Sequence, residues 1–312
     1  MNGLFSDPVL LQLISTLSCI FAGATKPTLF LLLLTAFSVC ALNDCKSVRF
    51  MYQHFHSSLV TTKLSSLYAM FSVARIDLDS WSSHLCKLLT SLIPKECIAY
   101  PIFLVIDDSL IEKVGRHFEA CSKLFDHASH NGTNYLHGHC VVTLVVLIPV
   151  LDKDNNVTYV RIPVKHKLWI PKKAKGKGSE SDKESLVPDI PYRSKYQILR
   201  DILVEAVNAF GASRKYVLLA DSWYPKGEIL DFVNENENVE AVFNVPINTV
   251  IYKAAVPKPT GKRGRPREIG DRLSPKTDFP RTNIAGTNYL AGLMDVTSNL
   301  FGKKKLVKAL VT

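Results

Sequence analysis

Two apolar runs of strand length, LVIDDSL at 104–110 and YVLLADSWYPK at 216–226, each break off at aspartate. A short apolar run that stops at a carboxylate is the pattern of a buried strand delivering an acid to the edge of a sheet. Two such strands can bring their acids to one metal site, because carboxylate oxygens are hard ligands for divalent cations.

The rest of the chain must bury those strands. With 312 residues, 47% of them hydrophobic and 21% charged, it has material for more than one core. At roughly 100 to 200 residues per domain, two domains are predicted and a disordered chain is excluded. Lys and Arg exceed Asp and Glu by 38 − 28 = 10. The pI of about 9.2 favours an anionic partner, nucleic acid or a phospholipid surface. The seven cysteines form no CxxC pair and sit mostly in apolar sequence, which predicts buried thiols in a reducing, cytoplasmic compartment. The apolar segments 8–24 and 28–42 are separated by Lys26-Pro27, and each is shorter than the roughly 20 residues a bilayer crossing needs. They are expected to be buried helices, with no membrane as a partner.

Hydrophobic spacing divides the chain near Pro101. From Met1 to about Glu96, apolar residues recur at intervals of three and four, as in Leu85, Leu88, Leu89 and Leu92. An all-helical N-terminal domain over 1–98 is predicted, with DNA binding as one use of its polar face. After Pro101 strands are predicted at 102–106, 116–125, 140–150 and 157–164, with the turn at 152–156. Ser194 to Phe210 is an amphipathic helix with Ile198, Leu199, Ile202, Leu203, Ala206, Val207 and Phe210 on one face. A strand at 216–220, a short helix at 226–234 and a strand at 239–245 follow. Strands, then alternating helix and strand, is the order of a ribonuclease H-like domain of mixed α/β class with a mixed central sheet, an order other mixed folds also use.

The strings IDDSLIEKVG, LFDHASHNGTNYLHGHCVV, LADSWYPK and GKRGRPREIGD, in that order from Ile102 onward, resemble the DDE transposases of bacterial insertion sequences. The resemblance implies a ribonuclease H-like catalytic domain over 99–312, with the first acid on the first strand and the second after the fourth. Asp107 and Asp221 fall at those positions. It further implies a two-metal site for Mg²⁺ or Mn²⁺, Asp107 bridging both ions and Asp221 holding one. Two ions about 3.5 to 4 Å apart activate the attacking oxygen and stabilise the leaving one in phosphodiester cleavage and strand transfer. The partners implied are double-stranded DNA, as element ends and target, and a second copy of the chain on that DNA. Such an enzyme works at the bacterial nucleoid.

Asp108 competes with Asp107, since consecutive strand residues point to opposite faces. The family pattern of an acid, a variable residue and Ser or Thr favours Asp107 with Ser109. Trp223 and Tyr224 are candidates to pack a base or sugar, with an ordinary core role as the alternative. Lys113 and Lys226, close in sequence to the acids, are candidates for phosphate contact. Asp126, His127, His130, His137, His139 and Cys140 fit no standard zinc spacing.

Two basic stretches, predicted as loops over 165–191 and 253–275, suit DNA phosphates. The first has six lysines around Trp169 within 165–177. The second contains Lys262, Arg263, Arg265 and Arg267, and its Arg-Gly-Arg-Pro-Arg core resembles an AT-hook that enters a narrow minor groove. The family's third acid, a glutamate within a Tyr, Arg, Glu signature, has no counterpart after Asp221. Glu228, Glu235, Glu237, Glu240 and Glu268 all lack that setting. The expectation is a C-terminally truncated transposase with impaired cleavage. The alternative is a non-catalytic DNA-binding remnant that regulates a full-length relative.

Overall fold

The computed structural model describes residues 7–45, 47–114, 118–126, 134–172, 191–254, 269–287 and 290–312. Helices come first: α1 (Pro8–Ile20), α2 (Lys26–Ala41), α3 (Val48–Met51), α4 (Ser57–Leu59), α5 (Leu64–Val73) and α6 (Leu78–Leu92), with a π-helical turn at Tyr52–His56. Asp7 caps α1 by accepting from the Val9 and Leu10 amides, and Asp77 caps α6 through the Ser80 amide. No helix among the described residues is long and apolar enough to cross a membrane.

Leu31, Leu32, Leu67 and Met70 form a small helical core, and Trp81 of α6 packs on it. Further along α6, Cys86 and Leu89 belong with Ile93 and Cys97 to the large core of the main sheet. One helix thus serves two cores, its first turn contributing to one and its later turns to the other.

The main sheet contains β1 (Ile102–Glu112), β2 (Ser122–Phe125), β3 (Tyr135–Leu151), β4 (Val157–Trp169), β5 (Tyr216–Ala220) and β6 (Val239–Phe243). β3 runs antiparallel to β1 along one edge and to β2 and β4 along the other, whereas β5 and β6 add in parallel on the far side of β1. Helix α7 (Lys195–Phe210) covers one face. Ser194 and Gln197 close a capping box at its start, and all seven of the apolar residues expected to face the core are buried. Gly211, at φ 107°, ends it. Helix α8 (Gly227–Glu235) links β5 to β6.

A second sheet, β11-β10-β7-β8 with β9 beside β10, follows: β7 (Ile251–Tyr252), β8 (Arg272–Leu273), β9 (Thr282–Asn283), β10 (Leu290–Ser298) and β11 (Gly302–Val311). Its core is Ile251, Leu273, Phe279 and Val296, and the Phe243 and Phe301 rings stack between the two sheets.

Four expectations need correction. α1 is not a buried helix: none of its residues is buried, and Val9, Leu11 and Leu13 are exposed. β1 does not stop at the acids but continues to Glu112, because β3 offers it hydrogen bonds along its whole length. The tight crossing at the far end requires Gly138: a Cβ there would lie 2.2 Å from the Ile111 carbonyl oxygen. The first basic stretch does not begin as a loop. β4 carries it through Trp169, and Lys165 is buried between Asp79 and Glu205. Nor are the cysteines mostly buried. All seven are free, Cys86, Cys97 and Cys140 are inside, and Cys19 and Cys40 are exposed.

Candidate active site

β1 and β5 are neighbours in parallel, with Val105 opposite Leu219. Asp107 lies two residues beyond Val105, still on β1, and Asp221 two residues beyond Leu219, just past the end of β5, near enough for its charge to act on Asp107. Asp107 and Asp108 then diverge. Asp108 follows Leu104 and Ile106 toward the buried, α7-covered face, while Asp107 lies with Phe103 and Val105 on the opposite, more open face.

The two carboxylates have different surroundings. Asp108 accepts from Lys195 Nζ at 2.6 Å, from Cys140 Sγ at 3.3 Å and from the Tyr224 hydroxyl. Burial alone would raise its pKa, but the hydrogen bonds and charge of Lys195, with the Tyr224 hydroxyl, outweigh it and hold the carboxyl below the ordinary aspartate value. The Lys195 ammonium is correspondingly raised: its bond to Asp108 overcomes desolvation. Asp107 accepts a bond from the Asp108 amide, at 2.8 Å. Partial desolvation pushes its pKa up, and the negative charges of Asp108 and Asp221 add to the rise. Asp221 accepts from the Trp223 amide at 2.8 Å, closing the turn after β5.

A row of polar groups runs sideways from Asp107. Thr143 on β3 is its cross-strand partner, and His166 on β4 is the partner of Thr143. Directly opposed residues share a face. The Thr143 hydroxyl and His166 Nδ1 are 3.0 Å apart.

A family model described as DDE superfamily endonuclease matches residues 16–287. The chain belongs to the DDE superfamily endonucleases. The match extends well before Ile102, so the helical segment from α1 onward lies within the family region too. A comparison with curated proteins found no match.

Other residues of this endonuclease stand in varied relation to the acid pair. Trp223 is 51% exposed, with Lys226 Nζ 5.1 Å from its ring centroid, so cation and aromatic face lie together just after Asp221. Tyr224 is 2% exposed and committed to Asp108; it is a buried part of the site, not a surface on which a base can stack. Lys113 is not beside the acids. It lies six positions along the chain from Asp107, just past the end of β1 and roughly 20 Å away at the strand rise, and its Nζ lies over the Phe118 ring. Lys262, Arg263, Arg265 and Arg267 lie outside the described residues, but the segment bearing them is flanked by the antiparallel pair β7 and β8. His127 and His130 also lie outside the described residues. His139 Nε2 is 2.7 Å from the Glu119 carbonyl oxygen, and Cys140 serves Asp108.

Sequence reading missed Lys195, Thr143 and His166. The capping box made the start of α7 legible, but nothing near position 195 names a partner 87 residues away.

Nucleases of the DDE superfamily use divalent metals. The donor set fits such an ion: one carboxylate lies on β1 and one just past the end of its neighbour β5, and the charge of Asp221 adds to the rise that desolvation gives Asp107, a repulsion that a cation would relieve. Among the described residues, no group of three or more His, Cys, Asp or Glu is arranged to hold a metal.

Proposed function

We propose that this chain is an insertion-sequence transposase whose DNA-cutting centre is built on Asp107 and Asp221 and whose cleavage is impaired for want of a third acid beside them. The observation that carries the reading is that each acid lies two residues beyond the last pair of the β1–β5 ladder, Val105 with Leu219. The sheet order supports a ribonuclease H-like core: antiparallel β1, β3 and β4, with β5 and β6 added in parallel beside β1. Asp107 and Asp221 would hold Mg²⁺ or Mn²⁺. Bound there, the ions would supply an activated water or hydroxyl and a stabilised leaving oxygen.

The side chains around the pair suit duplex DNA as substrate. Trp223 offers a ring to a sugar or splayed base, Lys226 a cation to a phosphate, and Thr143 with His166 hydrogen-bonding groups on the same open face as Asp107. The net charge of +10 adds a general attraction for the phosphate backbone.

A specific observation favours a second reading, in which the chain binds DNA without cutting it and regulates a complete relative: no third acid joins the pair among the described residues. One experiment separates the two. The purified chain is expected to bind DNA in a salt-sensitive way and to cleave it feebly or not at all with Mg²⁺ or Mn²⁺. Robust cleavage that disappears in Asp221→Ala would establish the enzyme and refute the binding-only reading.

A further inference from the structure

We infer that Asp108 is a positioning residue, which holds the turn carrying Asp221 against the strand carrying Asp107, through Tyr224, with Lys195 and Cys140 completing its hydrogen bonds. Its consequence for metal affinity rests on the reading of Asp107 and Asp221 as the metal-holding pair. Its structural half stands without it.

Direction comes first. Asp108 points to the buried face of β1, one residue along from Asp107 but on the opposite side of the sheet. A ligand shared with Asp221 on the open face cannot also reach that side without a rearranged strand. Occupancy comes second. Oδ1 takes the Tyr224 hydroxyl, while Oδ2 takes Lys195 Nζ and Cys140 Sγ. A metal at Asp108 would have to displace an ammonium.

The network also spans the segments that must be held together. Tyr224 is the third residue after Asp221, and its amide donates back to the Asp221 carbonyl at 3.3 Å. Tyr196, next to Lys195, donates its hydroxyl to the Trp223 carbonyl at 3.1 Å. The first contact closes the turn that the Tyr224 hydroxyl anchors to Asp108, and the second ties that turn to α7 beside Lys195. Lys195 occupies the first turn of α7, where the helix dipole disfavours a cation. Its placement there is explained by Asp108. The aromatic face of Trp169, 5.2 Å from Nζ, gives the same ammonium a second favourable neighbour.

Metal sites depend on the residues that orient their ligands, and removing such an outer partner typically costs about 10- to 100-fold in metal affinity. The test uses the full chain with Tyr224→Phe, which keeps the ring and removes the hydroxyl, and Asp108→Asn. Amide hydrogen exchange over 221–226 is measured without metal, and Mn²⁺ affinity by calorimetry. Both variants are expected to speed exchange in the turn about tenfold or more, as loss of a hydrogen bond to a charged group would, and to weaken Mn²⁺ binding about 10- to 100-fold. Asp107→Asn is expected to abolish Mn²⁺ binding while leaving exchange in the turn near the parent rate.

Unchanged exchange in both variants would overturn the inference. So would an Asp108→Asn protein that loses Mn²⁺ entirely with its turn still protected, since Asp108 would then be a ligand. If Asp108→Asn fails to fold, Tyr224→Phe carries the decision alone. A parent chain that binds no Mn²⁺ would refute the metal-holding reading, and the exchange measurement would still decide the positioning role.

Discussion

Asp107 and Asp221, 114 residues apart in sequence, each lie two residues beyond the last pair of the parallel β1–β5 ladder, Val105 with Leu219. Partial desolvation raises the pKa of Asp107, and the charges of Asp108 and Asp221 add to the rise. Two charges placed this way weaken the fold and favour a ligand.

Metal should therefore stabilise the protein. Mn²⁺ at 100 times its dissociation constant is expected to add about 2.7 kcal/mol to unfolding stability, read as a rise in Tm. Asp107→Asn and Asp221→Asn should abolish that rise. Without metal, Asp107→Asn should melt above the parent, because it removes a partly desolvated charge from beside two others. An unaltered metal response in either variant would argue against the pair.

Acid should expose the role of Asp108. A carboxyl whose folded pKa is lowered stabilises the fold above its unfolded value, and that contribution is lost as pH falls through the folded value. Asp108 is of this kind, as is Asp79, lowered chiefly by its hydrogen bond from Lys167. Lys195 is raised, so its contribution is complete below the ordinary lysine value and disappears only in strong alkali. Unfolding free energy measured from pH about 7 down to pH about 2.5 should fall steeply below the ordinary aspartate range. The fall should be shallower in Asp108→Asn, which starts from a lower plateau.

The buried lysine of β4 gives an asymmetric prediction. The Lys165 side chain is 6% exposed, whereas its partners Asp79 and Glu205 are 54% and 55% exposed. Removing the lysine leaves two carboxylates that water can solvate, and Lys165→Met should cost under about 1 kcal/mol. Removing both acids strands a buried ammonium. Asp79→Asn with Glu205→Gln should cost about 3 kcal/mol. Urea unfolding of the two proteins measures the difference, and equal costs would contradict the geometry.

The second basic segment should show itself in salt dependence. Substituting Lys262, Arg263, Arg265 and Arg267 with alanine is expected to reduce the slope of log affinity against log salt by about 3 to 4, near 0.9 for each phosphate no longer neutralised. Fluorescence anisotropy with duplex DNA from low to moderate salt reads this directly. An unchanged slope would place the DNA-binding surface elsewhere.

Much of the frame was legible in sequence because it depends on local periodicity. The seven apolar residues of α7 repeat at the helical period and all lie inside, with Ser194 and Gln197 capping the start. β5 begins and ends where its apolar run does, at Tyr216 and Ala220. The length of β1 was not legible. Its outer half, from Asp107 to Glu112, lacks a buried apolar pattern and is held in strand form by β3, whose pairing partners lie about 25 to 45 residues further along.

The sequence by itself determined that two acids end two apolar runs, because run length and alternation are properties of neighbouring residues. Their surroundings came with the packed fold. Strand alternation sends Asp107 and Asp108 to opposite faces, and the fold shows that Asp108 faces Lys195 and Tyr224 while Asp107 feels the charge of Asp221. Lys165 makes the same point in reverse, a cation that reads as part of a basic loop and lies inside. Burial of a polar group depends on partners that arrive from distant chain segments, and those partners exist only once the sheet has formed.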